Sequence, residues 1–388
     1  MKKICILVTQ DSSIKNWFEP VFYIYDNSTY DVTFVTKFSP NYLQELKQKY
    51  PHFKFLNCNF PRGTSFIKTI KCISFLKKLF RKEKYDLVEY HTPNASFCAS
   101  IASKKAKIKN RLYGQWGIRY VSFNGIKRLF FKMIEKHTCS CSTIVNAQSY
   151  KNLDFNVNNR VCKRNKISVL GIGGTIGVDF NQFNIDNKAE WRKEIRSKLD
   201  ISDNQFVYGF IGRIHKDKGV NELIQAFAKL KNKVLIVVGD FDKNYPIDHS
   251  NEEMLLNSPN IFYINRVDRS EVAKFLSSFD VFVYPTYREG FGHVIQESLT
   301  MGIPTITSDV PGPSEVVENG ISGFLVPAKH TEALADAMNL LSSNEELRLK
   351  MSKNGRLRAE KYFEKNIMVS YIINNYKEIL GKWLQKKS

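Results

Sequence analysis

Short, almost wholly apolar runs alternate with amphipathic stretches along this 388-residue chain, and the series runs through twice. The first series predicts strands at 3–9, 31–36, 53–57, 86–91, 111–114 and 143–146, with helical patterns at 14–25, 64–84, 95–103 and 126–136. The second predicts strands at 206–211, 234–238, 261–264, 281–284, 305–307 and 324–326, separated by helical patterns at 220–229, 269–277, 294–301 and 331–341. Strands this apolar need cover on both faces, and alternating helices supply it for a parallel sheet. The expected fold class is therefore α/β, with two doubly wound Rossmann-like domains. At roughly 150 residues per domain, the length suits two full cores.

Between the two series lies Gly171-Ile-Gly-Gly-Thr-Ile-Gly177. It predicts the domain junction, giving domains 1–178 and 179–365, with a helical tail, 366–388, packing back on the first. A glycine-rich joint suits hinge closure on a ligand, although a plain turn after a strand uses the same residues. No apolar run reaches the roughly 18 residues a membrane span needs. The run Ile4–Val8 is too short for the core of a signal peptide and meets Gln10-Asp11 at once. It reads as the first buried strand of a cytoplasmic protein. The seven cysteines are odd in number and form no C-x-x-C pair, which argues against a disulfide framework or a zinc site.

The net charge is +20, and it is unevenly spread. Residues 1–180 hold 30 Lys and Arg against 11 Asp and Glu, whereas residues 181–388 hold 28 against 27. Compositional drift toward lysine would not spare the second half. The asymmetry points to an anionic partner of the first half, whether a phosphorylated substrate, a polyanion or an anionic membrane.

Three segments hold residues suited to chemistry. In Val281-Phe-Val-Tyr-Pro-Thr-Tyr-Arg-Glu289-Gly-Phe-Gly-His-Val-Ile-Gln-Glu297, a strand turns into a helix. Gly290 and Gly292 let the backbone approach a ligand, and the helix start offers N–H groups to an anion. Glu289 and Glu297 stand about 10 Å apart along the backbone, far enough to hold two rings on either side of a diphosphate. In isolation, a capping carboxylate and a solvated glutamate fit the same pattern. Gly212-Arg213 and Lys218-Gly219 follow the strand 206–211 and place two cations at its carboxyl end, where a departing diphosphate would be neutralised, although alone two such cations fit solvated surface charges as well. His91 ends the strand 86–91 in the basic half, just before Thr92-Pro93. A lone histidine there also serves as an ordinary structural residue.

Together these residues resemble a retaining glycosyltransferase of family 4, with the two-domain GT-B fold in which the domains face across a cleft. The E-x7-E pattern is Glu289…Glu297 within EGFGHVIQESLTMGIPTITSD, and VPGPSEVVENGISGFLVP resembles the family's closing stretch. HTPNAS and GIGGTIGVDFNQF resemble a bacterial subgroup that extends lipid-linked oligosaccharides for capsule, O-antigen or glycoprotein glycans. Three features depart from the pattern, the first being Ile176 where the subgroup's junction usually has Asn. The loop after the first strand is Gln10-Asp11-Ser12-Ser13 rather than Gly-Gly, and YGQWGIRY has Gln115-Trp116 where the subgroup often places His.

The resemblance implies that the second domain binds the nucleotide sugar and the basic first domain binds the acceptor and faces the membrane. Arg213 and Lys218 would bind the donor diphosphate, with the backbone of Gly290, Phe291 and Gly292 supporting sugar and phosphate. Glu289 would hold sugar hydroxyls, Glu297 the ribose, and Arg266-Val267 would flank the base. His91 would act beside Glu289 in catalysis, from the acceptor side. The transferred sugar, for which an N-acetylhexosamine is one candidate, would come from a nucleotide diphosphate, with UDP favoured over GDP. It would go to a polyprenyl-diphosphate-linked saccharide. No cofactor and no metal are implied, because the nucleotide sugar is itself a substrate.

The helical stretch 64–84 carries Phe66, Ile70, Ile73, Leu76 and Phe80 on one stripe beside seven cations. Such a helix can lie on an anionic membrane surface, placing the enzyme peripherally on the cytoplasmic leaflet, with Arg62 a candidate for the acceptor diphosphate. A solvated basic face on an ordinary Rossmann helix explains the same residues. Two other functions compete: a nucleotide-sugar epimerase or hydrolase of the same fold, and a basic nucleic-acid-binding protein. The motif disfavours the first. No helix-turn-helix, RNA-recognition or zinc-finger pattern supports the second.

Overall fold

A computed structural model describes residues 1–61, 65–243 and 245–381. Contacts divide the chain into two compact units: Met1–Ile176 with the stretch from Val369, and Gly177–Met368.

The first unit contains β1 (Lys2–Gln10), β2 (Tyr30–Lys37), β3 (Lys54–Asn57), β4 (Leu87–His91), β5 (Asn110–Gln115), β6 (Ile144–Ala147) and β7 (Ile167–Val169). They form one parallel sheet in the order β3-β2-β1-β4-β5-β6-β7. The central strands are buried on both faces; Ile4, Cys5, Ile6, Leu7 and Val8 are fully so. The second unit contains β8 (Phe206–Ile211), β9 (Lys233–Val238), β10 (Ile261–Ile264), β11 (Val281–Tyr284), β12 (Thr305–Ser308) and β13 (Gly323–Val326), in the parallel order β10-β9-β8-β11-β12-β13. In each sheet the winding direction reverses once, between β1 and β4 and between β8 and β11. Ligands of such folds bind outside the carboxyl ends of the strands at these switch points. His91 ends β4, while Gly212-Arg213 and Pro285–Gly292 follow β8 and β11.

Local departures from the sequence expectations have physical causes. The helical pattern 14–25 breaks into an α-helix, Asp11–Trp17, and a 3-10 segment, Glu19–Ile24, because Pro20 has no N–H to continue the ladder. β7 had no counterpart among the expected strands. In helix Phe66–Glu83 the expected single stripe divides: Leu76 and Phe80 are buried, whereas Phe66 and Ile70 face solvent. The stretch from Val369 supplies Val369, Tyr376, Ile379 and Leu380 to the same core as Ile4, Ile6, Phe34 and Leu87. Among the described residues no helix is long and apolar enough to cross a membrane.

Candidate functional site

In the second unit, the loops after β8 and β11 are stitched together. Gly219 has φ +70° and caps helix Val220–Phe227, and a Cβ there would lie 2.0 Å from the Pro285 carbonyl oxygen. The contact therefore excludes any side chain at 219. The Tyr287 N–H donates to the Asp217 carbonyl at 2.8 Å, and Arg288 Nε donates to the Asp217 carboxylate at 2.9 Å.

This stitching brings Lys218 onto Glu289. The Lys218 ammonium donates to Glu289 Oε2, which also accepts from the Tyr284 hydroxyl at 3.1 Å. The Gly290 N–H donates to Oε1 at 3.2 Å. The two side chains are 12% and 26% exposed, so both charges are largely desolvated. Burial alone pushes the Glu289 carboxyl up, but the Lys218 charge and these hydrogen bonds outweigh it and hold the pKa below its ordinary value. Burial likewise pulls the Lys218 ammonium down, yet Glu289 and Tyr284 carry it above the usual lysine range.

Glu297 lies in helix His293–Thr300, which starts from Gly292 at φ +101°. It is 1% exposed and accepts from the Arg269 guanidinium, which also donates to His293 Nε2 at 2.9 Å. Burial pushes the Glu297 carboxyl up, against the pull of Arg269. Burial and the Arg269 charge bring His293 down to about 3, so its imidazole is neutral at physiological pH. Gly312, at φ +96°, packs so closely that a Cβ there would sit 2.7 Å from the Gly290 carbonyl oxygen. Phe291 is buried and turns its ring toward Phe363.

Beside these residues, at the carboxyl ends of β8, β9 and β10, a cavity of about 590 Å³ is lined by Gly212, Arg213, Asp240, Asp242, Arg266 and Val267. The Arg213 side chain is 67% exposed and pairs with Asp242 at 3.2 Å. The Arg266 N–H donates to Asp240 at 3.2 Å. The structure thus gathers Arg213, Arg266 and Val267 around one cavity and joins Lys218 to Glu289 and Gly290.

In the first unit, His91 and Glu89 share one face of β4, as residues two apart in a strand must. His91 Nε2 and Glu89 Oε1 are 2.7 Å apart, Tyr376 donates to Glu89 Oε2 at 2.6 Å, and Tyr376 meets the Tyr25 hydroxyl at 3.0 Å. The imidazole packs on Trp116 with ring centroids 4.5 Å apart. It lies so close to Gly114 that a Cβ there would be 2.0 Å from Nδ1, a buried atom with no hydrogen-bond partner among the described residues. His91, Glu89, Trp116, Trp17 and Tyr376 line a cavity of about 80 Å³. Arg62 lies outside the described residues. Among the described residues no group of three or more His, Cys, Asp or Glu could hold a metal ion.

Tyr284, Arg269, His293, Glu89 and Tyr376 were not singled out from the sequence. His293 could have been, since it stands four residues before Glu297 on a helix, and Glu89 two before His91 on a strand. Arg269 and Tyr376 reach their carboxylates from far along the chain, and no local pattern signals them.

Residues 192–358 match the family described as glycosyl transferases group 1, and residues 3–149 match the glycosyl transferase 4-like family. The chain is 34% identical over 323 residues to the capsular polysaccharide biosynthesis glycosyltransferase CapM of Staphylococcus aureus, covering 82% of this chain and 83% of that protein. It is 26% identical over 307 residues to the UDP-Gal:alpha-D-GlcNAc-diphosphoundecaprenol alpha-1,3-galactosyltransferase of Escherichia coli, covering 76% of each. The solved sucrose-phosphate synthase of Thermosynechococcus elongatus superposes with a TM-score of 0.79 at 18% identity, over 98% of this chain and 100% of that one. The fold is GT-B, two Rossmann-like units each built on a parallel sheet. The chain belongs to the glycosyltransferase family that these matches define.

Proposed function

We propose that this enzyme is a retaining, metal-independent glycosyltransferase that moves a sugar from a UDP-linked donor to a polyprenyl-diphosphate-linked saccharide in surface polysaccharide synthesis. The observation that carries the reading is the placement, at the carboxyl edge of one sheet, of the Lys218–Glu289 pair at the β8–β11 switch point and of the cavity lined by Arg213, Arg266 and Val267 at the ends of β8, β9 and β10. The volume, about 590 Å³, lies within the range of small-molecule sites. The names of the Staphylococcus aureus and Escherichia coli relatives support a polysaccharide product, a UDP-linked donor and a lipid-linked acceptor.

In this reading Arg213 and Lys218 neutralise the donor diphosphate as the bond between the sugar's anomeric carbon and the phosphate oxygen breaks. The acceptor hydroxyl adds to the anomeric carbon from the same face, and the departing phosphate oxygen takes its proton. Glu289 positions sugar hydroxyls rather than attacking carbon. Its carboxylate is already engaged by Lys218, Tyr284 and Gly290, which suits a fixed acceptor of hydrogen bonds. Glu297 takes the ribose, Gly290, Phe291 and Gly292 present backbone to sugar and phosphate, and His91 serves on the acceptor side. Cytoplasmic, peripheral attachment to an anionic membrane completes the reading.

Thermal-shift titration with UDP, GDP and their sugars, followed by incubation with extracted lipid-linked acceptor, tests the proposal. UDP stabilisation and label entering the lipid fraction are expected. Release of free sugar without incorporation would favour a hydrolase, and absence of any nucleotide effect would refute the donor site.

A further inference from the structure

Glu89 is a carboxylate in an apolar row. On β4 it stands in register between the buried Ile6 of β1 and the buried Leu112 of β5, and is itself 5% exposed. Among the described residues no lysine or arginine pairs with it; its ion-pair partner is His91. Burying a carboxylate costs stability, and an aliphatic side chain would fill the same place without that cost. Packing alone therefore gives no reason for a glutamate here.

Its two oxygens are divided between two partners. Oε2 accepts from the Tyr376 hydroxyl at 2.6 Å, and Oε1 lies 2.7 Å from His91 Nε2. The Tyr376 proton is committed to Glu89, so in the 3.0 Å contact between the two phenols Tyr25 is the donor. Burial and the Glu89 charge push both phenols well above their usual range, and both keep their protons. An ionised carboxylate only accepts, so its bond to His91 requires the proton on Nε2.

The rest of the His91 seat is apolar. The ring lies 4.5 Å from Trp116 and 5.3 Å from Phe18 between centroids, the second contact edge-on. Nδ1 is buried against Gly114 with no partner among the described residues. A buried N–H without a partner is rarer than a buried acceptor without one, which again places the proton on Nε2. Glu89 thus makes the only side-chain hydrogen bond of the ring among the described residues.

We infer that Glu89 is the positioning residue for His91: anchored by Tyr376 and Tyr25, it fixes the proton on Nε2 and holds the ring against Gly114 and Trp116 at the wall of the cavity. The inference rests on the acceptor-side role proposed for His91 and adds the three residues that seat it. One of them, Tyr376, comes from the far end of the chain.

The test is a proton–nitrogen correlation spectrum of the full chain carrying isotope-labelled histidine, recorded without substrate, with the His91 signals identified by their loss in H91Q. A proton on Nε2 and an unprotonated Nδ1 are expected in the parent. E89L should give exchange-broadened signals from both tautomers and lower sugar incorporation roughly 10- to 100-fold, while keeping the UDP-induced thermal shift. E89Q, whose amide oxygen can still accept from Nε2, should keep more of the rate than E89L, and Y376F should fall between E89L and the parent. A parent with its proton on Nδ1, or on both nitrogens, would overturn the inference with no variant needed, so a failure of E89L to fold would not shield it. So would E89L at the parent's rate, or a slow E89L with unchanged His91 signals, which would leave Glu89 a purely structural part. A parent that incorporates no sugar would instead strike the function proposed above, and the tautomer, read without substrate, would still decide the seat of His91.

Discussion

Replacing Lys218 with methionine removes the charge that holds Glu289 ionised. Breaking a fully buried ion pair by deleting one partner costs ~3–5 kcal/mol. Glu289 is 26% exposed and keeps the hydrogen bonds from Tyr284 and Gly290. The expected cost is therefore smaller, about 2–3 kcal/mol at pH 8. Amide hydrogen exchange in peptides covering β8 and β11 reads the second unit alone, because buried strands exchange mainly through global opening of their unit. At ~1.4 kcal/mol per tenfold, K218M should exchange about 30- to 150-fold faster there. The sign of the pH dependence follows from the lowered carboxyl pKa. In the parent, Glu289 adds stability above its unfolded pKa and loses it as pH falls through the lower folded value. In K218M burial acts without its main counterweight and the carboxyl pKa rises. Protonation then relieves the variant first, and the gap to the parent narrows as pH falls from 8 toward 5. The double variant K218M/E289Q should recover most of the loss, giving a coupling energy above ~1 kcal/mol. A coupling below ~0.5 kcal/mol would show that the pair is solvated and that the electrostatic reasoning is wrong.

Further outcomes are expected. E289A and R213A should each lower turnover ~100-fold or more in sugar-incorporation assays, as loss of a preorganised charge contact does; near-normal rates in both would refute their roles. Because burial raises the Glu297 carboxyl pKa, UDP affinity measured by calorimetry should weaken as pH falls toward that raised value, and E297Q should show a weaker but flatter profile. Gly114→Ala drives a methyl into the His91 ring, and should depress the rate of transfer while leaving the UDP-induced thermal shift of the second unit intact.

The strands were legible because parallel strands buried on both faces leave a continuous apolar signature, as in Leu235-Ile-Val-Val238. β7 is three residues long with exposed Ser168 at its centre, too short and too polar to register. The candidate donor-side residues were legible as punctuation: Gly219 and Gly292 turn to positive φ, the carbonyls of Gly212 and Gly290 lie against Gly239 and Gly312, and the charged residues sit next to them. What the sequence withheld was pairing. Tyr376 lies 287 residues from the carboxylate it binds. The helix at 125–141 showed the opposite gap: its period marks an apolar stripe, yet Ile126, Leu129 and Met133 face solvent while Glu135, Thr138 and Cys139 are buried, with Glu135 accepting from Tyr113 and Gln115.

Helix Lys365–Gly381 bears on biosynthesis. Val369, Tyr376, Ile379 and Leu380 complete the core of the first unit, yet they leave the ribosome after the whole of the second has been made. At ~5–20 residues per second, the first sheet waits on the order of ten to forty seconds with Tyr25 and the Glu89 carboxylate lacking their Tyr376 partner. A released chain ending at Met368 should therefore present a protease-sensitive first unit and a folded second one, and the early unit is the one expected to need a chaperone's shelter during translation.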